Sequence, residues 1–238
     1  MSDTGTGDSI SAENARWTFG GDVAKTFDSH VSKSVPLYRQ GHELILKVSD
    51  FFISEGSVAY DLGCSTGPLT CELAKRHVDK DARFIGIDVE EGMIQQAVSR
   101  GRDLPNVEFV QGNIFEHELE TADLIICYYL VQFVKPRVRQ QFFDKLYSAL
   151  NWGGALLLFE KVRAPDARFQ DLTSLIYNDF KIDQGYSGEE IIAKSRSLKG
   201  VLEPFSTQGN IDLMKRAGFQ DIMTVMKWVC FEGFLAIK

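Results

Sequence analysis

The sequence lacks the usual signatures of a metal site and of a membrane or secreted protein. It contains four cysteines, none in a C-x-x-C pair, and its four histidines show no zinc-like spacing. Its apolar runs are strand-length, and the polar start, Met1 to Glu13, lacks the basic and apolar regions of a signal peptide. We therefore predict no metal and no membrane segment, and we expect a cytoplasmic protein.

Positive charge is also in short supply. The chain has 26 Lys and Arg against 33 Asp and Glu, a formal net charge of −7. Because phosphate contacts depend on Lys and Arg, this balance disfavours nucleic acid and favours a small-molecule substrate. At 238 residues and 44% hydrophobic, the chain can form one domain with a full core and an appendage.

The most informative stretch runs from Val58 to Gly67 and reads V-A-Y-D-L-G-C-S-T-G. Gly63 and Gly67 lack the Cβ atoms that would keep the backbone away from a ligand, and a helix beginning near Thr66 would point free N–H groups above this loop. A dinucleotide loop, G-x-G-x-x-G, would have glycine where this sequence has Ser65. The loop therefore favours S-adenosylmethionine (SAM) over a dinucleotide.

Two more polar positions follow the next apolar runs. Asp88 ends the run 82–87, where a carboxylate can accept hydrogen bonds from both ribose hydroxyls of a nucleoside. The run 107–110 leads to Asn113 and Ile114, which we predict to contact adenine. Cys64 is expected to be a small buried side chain rather than a reactive thiol. The predicted SAM-binding residues from the loop and these runs are Asp61, Gly63, Cys64, Ser65, Gly67, Asp88, Asn113 and Ile114.

Strand and helix patterns alternate from residue 58 to residue 159, with a turn predicted at 151–154. Such alternation predicts an α/β fold with a doubly wound, mostly parallel sheet of seven strands. The last two strands, 221–228 and 231–237, are expected to form an antiparallel hairpin at the sheet edge. The predicted organisation is a disordered tail (1–13), an N-terminal helical lid (14–54), a SAM-binding core (55–163), a helical lid insertion (164–205) and a C-terminal helix with the hairpin (206–238).

From about Trp17 to the C-terminus the sequence resembles the carboxy-SAM synthases. The motifs that carry this resemblance are Phe27-Asp28, Ser34-Val35-Pro36-x-Tyr38, Tyr60-Asp61-Leu62-Gly63-Cys64-Ser65, Gln132-Phe133, Asn151-x-Gly153-Gly154-Ala155-x-x-x-x-Glu160-Lys161, Asp179-Phe180-Lys181, Gly185-Tyr186-Ser187 and Ala217-Gly218-Phe219. The resemblance implies a Rossmann-like class I methyltransferase fold, a homodimer, chemistry on SAM itself, and a place for Tyr38 in the SAM site.

Two positions depart from that family. Its members carry a Lys-Arg pair whose arginine holds the added carboxylate, and Ser195 occupies the arginine position here. Arg196 is one residue further on, and one residue turns a helical side chain by about 100°. A polar residue that the family places after the fourth strand corresponds to Tyr128, followed by Tyr129, which we expect in the core on the opposite face. The pocket is thus predicted to be more aromatic and less able to hold an anion.

Aromatic faces attract a sulfonium cation, and Tyr38, Tyr128, Phe133 and Tyr177 are the candidates for this contact. The departures favour an intramolecular reaction, as in azetidine-2-carboxylate synthases: the amine of SAM attacks its own Cγ and releases methylthioadenosine. Tyr177, Asn178 and Asp179 could orient the amine. The alternatives are carboxy-SAM synthesis from prephenate, with Arg196 replacing the missing arginine, and methyl transfer to a small acceptor.

Overall fold

The computed structural model describes residue 19 and residues 23–238. The predicted disordered tail and the start of the predicted N-terminal lid lie outside these residues. None of the helices in these residues has both the length and the hydrophobicity of a transmembrane segment.

The core is a seven-stranded sheet in the order β3-β2-β1-β4-β5-β7-β6, in which β7 alone runs antiparallel to both of its neighbours. The predicted fold class and the edge hairpin are confirmed. The central strands carry apolar residues on both faces because helices cover the two sides. The strands are β1 (Val58–Leu62), β2 (Arg83–Asp88), β3 (Val107–Gln111), β4 (Ala122–Tyr128), β5 (Leu150–Lys161), β6 (Asp221–Trp228) and β7 (Phe231–Ile237).

Eight α-helices connect or cover these strands in the described part of the chain. Pro36 lies between the first two, as the sequence predicts, and Ser187 caps the start of the seventh through a reciprocal capping box with Glu190. The helices are α1 (Val23–Ser34), α2 (Tyr38–Ser49), α3 (Pro68–Arg76), α4 (Glu91–Gly101), α5 (Arg139–Ala149), α6 (Ala167–Asp183), α7 (Gly188–Ser197) and α8 (Thr207–Ala217).

The turn predicted at 151–154 is wrong, because these residues belong to β5. Gly153 adopts φ +80° and its N–H donates to the carbonyl of Lys238 at 2.8 Å, while the N–H of Lys238 donates to Gly154. The other side of the segment pairs Leu150 with Ala122 across a register shift. The Asn-x-Gly-Gly pattern suggested a turn. Instead, the segment is an irregular strand whose backbone N–H and C=O groups form hydrogen bonds with neighbours on both sides.

The sheet order reverses between β1 and β4, with β2 and β3 on one side and β5 on the other. In open α/β sheets the crevice at the carboxyl ends of the strands on either side of such a point receives the ligand. A ligand is therefore expected at the loops that follow β1, β2 and β4.

Candidate active site

A cavity of about 840 Å³ opens at this switch point, within the size range of small-molecule sites. Its walls come from the loops after β1, β2, β3 and β4 and from α1, α2, α6 and α7. All predicted site residues except Gly67 line it, namely Tyr38, Asp61, Gly63, Cys64, Ser65, Asp88, Asn113, Ile114, Tyr128, Phe133, Tyr177 and Asn178. Their roles stay predictions.

Gly67 serves packing rather than a close approach to ligand. It precedes α3 with φ +73°, and a Cβ there would lie 2.6 Å from the ring of Phe109 and 2.9 Å from Ala97. The helix begins at Pro68, two residues later than predicted. Gly63, with φ +72°, does line the cavity. The first glycine of the loop therefore lies at the wall of the candidate ligand site.

Asp88 holds the loop and faces the cavity. Its Oδ2 accepts the N–H of Ser65 at 2.9 Å, and its Oδ1 accepts the N–H of Glu90 at 3.0 Å. Burial raises the pKa of this carboxyl. Because a carboxylate has about four acceptor positions, it can hold the loop and still accept two ribose hydroxyls.

Asp61 places a second carboxyl at the floor of the cavity. It is 3% exposed, and Thr70 donates its hydroxyl to Asp61 Oδ2 at 2.7 Å. Burial raises the pKa of Asp61 to about 6. A cationic group of a ligand would stabilise the ionised form, so Asp61 suits an ammonium or sulfonium nearby. By contrast, burial raises the pKa of the Cys64 thiol well above its usual value, which fits the predicted filler role.

Three tyrosines form the next part of the wall. Tyr128 donates its hydroxyl to the main-chain carbonyl of Tyr38 at 2.5 Å, and their ring centroids lie 5.1 Å apart. Tyr129 is half-buried and packs against the core, as expected, but not on the face opposite Tyr128: it follows the end of β4 with φ +61° and also lines the cavity. Its ring lies 4.7 Å from that of Tyr128. Burial raises the pKa of all three phenols, which keeps them neutral.

Tyr177 lies between α1 and two lysines that sequence reasoning missed. Its hydroxyl donates to the carbonyl of Ser34 at 2.8 Å. Lys161 Nζ lies 4.2 Å and Lys181 Nζ 4.5 Å from its ring centroid, and both lysines line the cavity. Both belong to motifs of the family resemblance, which was the available signal. The prediction that the pocket is less able to hold an anion than that of the family stays a prediction. Asp179 is exposed and outside the cavity wall.

Ser195 and Arg196 lie in the last turn of α7. Ser195 lines the cavity, and its hydroxyl donates to Ile191 O at 2.8 Å. Arg196 is exposed and is not part of the cavity wall. Lys194 lines the cavity, where its ammonium donates to Ser34 Oγ at 2.8 Å and lies 2.6 Å from His30 Nε2.

Asp28, Thr66 and Arg100 form a polar clasp that joins α1 to the glycine loop and to α4. The sequence analysis did not predict it. Thr66 donates its hydroxyl to Asp28 Oδ1 at 2.6 Å, and Arg100 donates to Asp28 Oδ2 at 2.6 Å. Asp28 thus ties α1 to the loop and to α4. Within the described residues, no group of three or more His, Cys, Asp or Glu side chains is arranged to hold a metal.

The sequence of this chain is similar to those of known proteins. Residues 59–154 match a family model described as a methyltransferase domain. The chain is 34% identical over 224 residues to the carboxy-S-adenosyl-L-methionine synthase of Staphylococcus epidermidis, covering 94% of this chain and 97% of that protein. It is 36% identical over 228 residues to the synthase of the same name from Wolinella succinogenes, covering 94% of each. The chain belongs to the carboxy-S-adenosyl-L-methionine synthase family.

Solved structures support the fold of this carboxy-SAM synthase family member. An O-methyltransferase family 2 protein from Planctomyces limnophilus superposes with a TM-score of 0.63 at 16% identity, over 92% of this chain and 62% of that one. Human N-acetylserotonin methyltransferase, solved with SAM, gives a TM-score of 0.56 at 18% identity, over 94% and 63%. The predicted class I SAM-dependent fold is confirmed. These relatives give no support to the azetidine hypothesis, and the homodimer stays a prediction.

Proposed function

We propose that this enzyme acts on SAM itself and makes carboxy-SAM, the product for which its relatives are named. The observation that carries this proposal is the pair Lys161 and Lys181 in the wall of the same cavity as Asp88. A carboxylated sulfonium needs a positive group for its added carboxylate, and these ammonium groups supply it without an arginine at position 195.

The reaction balances with prephenate as the carboxyl donor. Prephenate loses a carboxyl group as carbon dioxide and its ring hydroxyl as hydroxide, and becomes phenylpyruvate. The methyl group of SAM loses a proton, which forms water with that hydroxide, and the methyl carbon forms a bond to the carbon dioxide. No external oxidant or reductant enters.

The roles of the residues follow from their places in the wall. Asp88, Asn113 and Ile114 would hold the adenosine, and Asp61 would neutralise a positive group of the methionine part. The rings of Tyr38, Tyr128 and Tyr129 would surround the sulfonium and exclude water, which protects a carbanion-like methyl group from being reprotonated.

A second candidate is the cyclisation of SAM to azetidine-2-carboxylate, and the residues at 195 and 196 favour it. Ser195 lines the cavity and carries no charge, and Arg196 is exposed and outside the cavity wall. In this reaction the neutral amine forms a bond to Cγ, the Cγ–S bond breaks with its electrons moving to sulfur, methylthioadenosine leaves, and the amine proton goes to water. Tyr177 and Asn178 would orient the amine.

Mass spectrometry of purified protein with SAM alone, and with SAM plus prephenate, tests both candidates. We expect carboxy-SAM only in the presence of prephenate. Methylthioadenosine with azetidine-2-carboxylate from SAM alone would instead establish cyclisation, and S-adenosylhomocysteine on addition of a small acceptor would establish methyl transfer.

The Ser195→Arg variant sharpens this comparison. If the enzyme makes carboxy-SAM, an added guanidinium near the product carboxylate should leave that product or increase it. If the enzyme cyclises SAM, the bulky cation should slow the release of methylthioadenosine without creating a need for prephenate.

A further inference from the structure

A histidine of α2 lies in the wall of the cavity beside two of the tyrosines. His42 comes four residues after Tyr38, and residues four apart lie on the same face of a helix. The centroid of its ring lies 4.9 Å from that of Tyr38 and 4.9 Å from that of Tyr128, and all three side chains line the cavity. His42 is only 8% exposed. The imidazole is therefore held next to the rings that the proposed function places around the sulfonium.

One ring nitrogen of His42 faces a carboxylate. Its Nδ1 lies 3.4 Å from Oε2 of Glu72, a partly exposed residue of α3. The contact with His42 lowers the pKa of Glu72 below its usual value, so this carboxyl is ionised near pH 7. A carboxylate at one nitrogen favours the tautomer that carries the proton there, and it stabilises the imidazolium that forms when the other nitrogen accepts a second proton.

The other ring nitrogen, Nε2, forms no hydrogen bond with any residue that the structure describes. It is not sealed in the interior either. Among the described residues, the sealed side-chain atoms without a partner are Asn106 Oδ1 and Asn210 Nδ2. Because His42 borders the cavity, the open space at Nε2 is that of the cavity.

Other acid–base groups that line the cavity already have partners. Asp61 accepts a hydrogen bond from a threonine hydroxyl, and Asp88 accepts two main-chain N–H groups of the loops beside it. The Nε2 of His30 lies 2.6 Å from Lys194 Nζ. The Nε2 of His42 is thus an available basic atom, next to the place proposed for the sulfonium.

We propose that His42, backed by Glu72, is the proton acceptor of the reaction on SAM. This inference rests on the proposed function for the proton concerned, which comes from the methyl group. The C–H bond breaks, its electron pair stays on carbon and forms the bond to carbon dioxide, and the proton binds to Nε2. The imidazolium then gives this proton to the hydroxide that leaves prephenate, which forms water and restores neutral His42.

The charges around His42 favour this transfer. Removal of a methyl proton turns the sulfonium into a neutral ylide and moves the positive charge to the imidazole, where Glu72 attracts it. Asp61 is also within electrostatic reach: burial raises the pKa of its carboxyl, whereas Thr70 and then His42 act against that rise. Two carboxyl groups therefore stabilise the imidazolium.

Turnover and SAM affinity, measured separately, test the assignment. His42→Gln keeps a polar side chain but cannot take up a proton near pH 7. We expect its kcat for SAM consumption to fall roughly a hundredfold or more, while titration calorimetry shows SAM affinity within about threefold of the wild type. Glu72→Gln should lower kcat roughly tenfold, less than loss of the buried aspartate of a catalytic triad. His117→Gln, outside the cavity wall, is the matched control and should change neither.

Two further readouts separate proton transfer from packing. Imidazole added to His42→Ala should restore part of the lost turnover, because it can occupy the vacated space and accept the proton. With SAM that carries a fully deuterated methyl group, the isotope effect on kcat should be larger in His42→Gln than in the wild type, because proton removal has become the slow step.

Three results would overturn this assignment: a His42→Gln enzyme that turns over like the wild type, a loss of SAM affinity as large as the loss of kcat, or a His42→Ala enzyme that imidazole does not reactivate. Failure of the proposed function is distinguishable. If the wild type releases methylthioadenosine without prephenate, the methyl isotope effect disappears. The same variants should still slow that release, because cyclisation frees an amine proton that needs an acceptor.

Discussion

The hydroxyl of Tyr128 lies directly over Gly41, so that a Cβ at residue 41 would be 2.1 Å from Tyr128 Oη. Gly41 lies inside α2, where glycine costs about 1 kcal/mol relative to alanine. The same hydroxyl bonds to the carbonyl of Tyr38 in the first turn of that helix. The absence of a side chain at Gly41 thus leaves room on α2 for the ring of Tyr128.

Gly41→Ala should destabilise the protein by about 1 to 3 kcal/mol, because the new methyl group forces Tyr128 or α2 to move. Thermal unfolding measures this loss, and Tyr128→Asn in the same chain should recover most of it. Gly188→Ala is the control, since a Cβ there meets nothing within 4 Å. A Gly41→Ala protein as stable as the wild type would show that the contact is not restrictive.

Asp28→Ala should release α1 from the glycine loop, because it removes the acceptor of both Thr66 and Arg100. We expect SAM to dissociate roughly tenfold faster, which corresponds to losing one or two hydrogen bonds that involve a charged group. Stopped-flow displacement of SAM measures the rate. Asp103→Ala, on the exposed surface outside the cavity wall, should leave it unchanged. Equal rates in both variants would argue that the clasp does not retain the ligand.

Asp61 should make SAM binding depend on pH. Its pKa in the free protein is about 6, so the carboxyl is ionised at pH 7 and becomes protonated as the pH falls. A cationic ligand favours the ionised form, and affinity should therefore drop below pH 6 by up to about tenfold per unit. Titration calorimetry between pH 5 and pH 8 measures this, and Asp61→Asn should bind weakly with a flatter profile.

Asp61 should also make the stability of the SAM-free protein depend on pH. As the pH falls, this contribution to stability should rise while the affinity for SAM falls. Because the folded pKa lies above the unfolded value of about 3.9, the folded state binds more protons between about pH 4 and pH 6. On account of Asp61, stability should rise as the pH falls through this window. Identical pH profiles of unfolding for the wild type and Asp61→Asn would contradict the assignment.

The loop and sheet could be predicted because their signals are local. Gly63 and Asp88 follow apolar runs directly, and strand order then brings them to one edge. Lys161 and Lys181 could not be placed in the same way, since they come to the same ring only when Tyr177 of α6 packs against Phe231 of β7. Tyr129 was misplaced because strand alternation was extended one residue too far, past the left-handed turn at φ +61° that follows β4.

The central claim is that SAM is carboxylated at its methyl group, and SAM with a fully deuterated methyl group tests it most directly. With prephenate present, the account predicts carboxy-SAM that retains two of the three deuterium atoms. Methylthioadenosine that retains all three would contradict the account in favour of cyclisation, and S-adenosylhomocysteine without deuterium would contradict it in favour of methyl transfer.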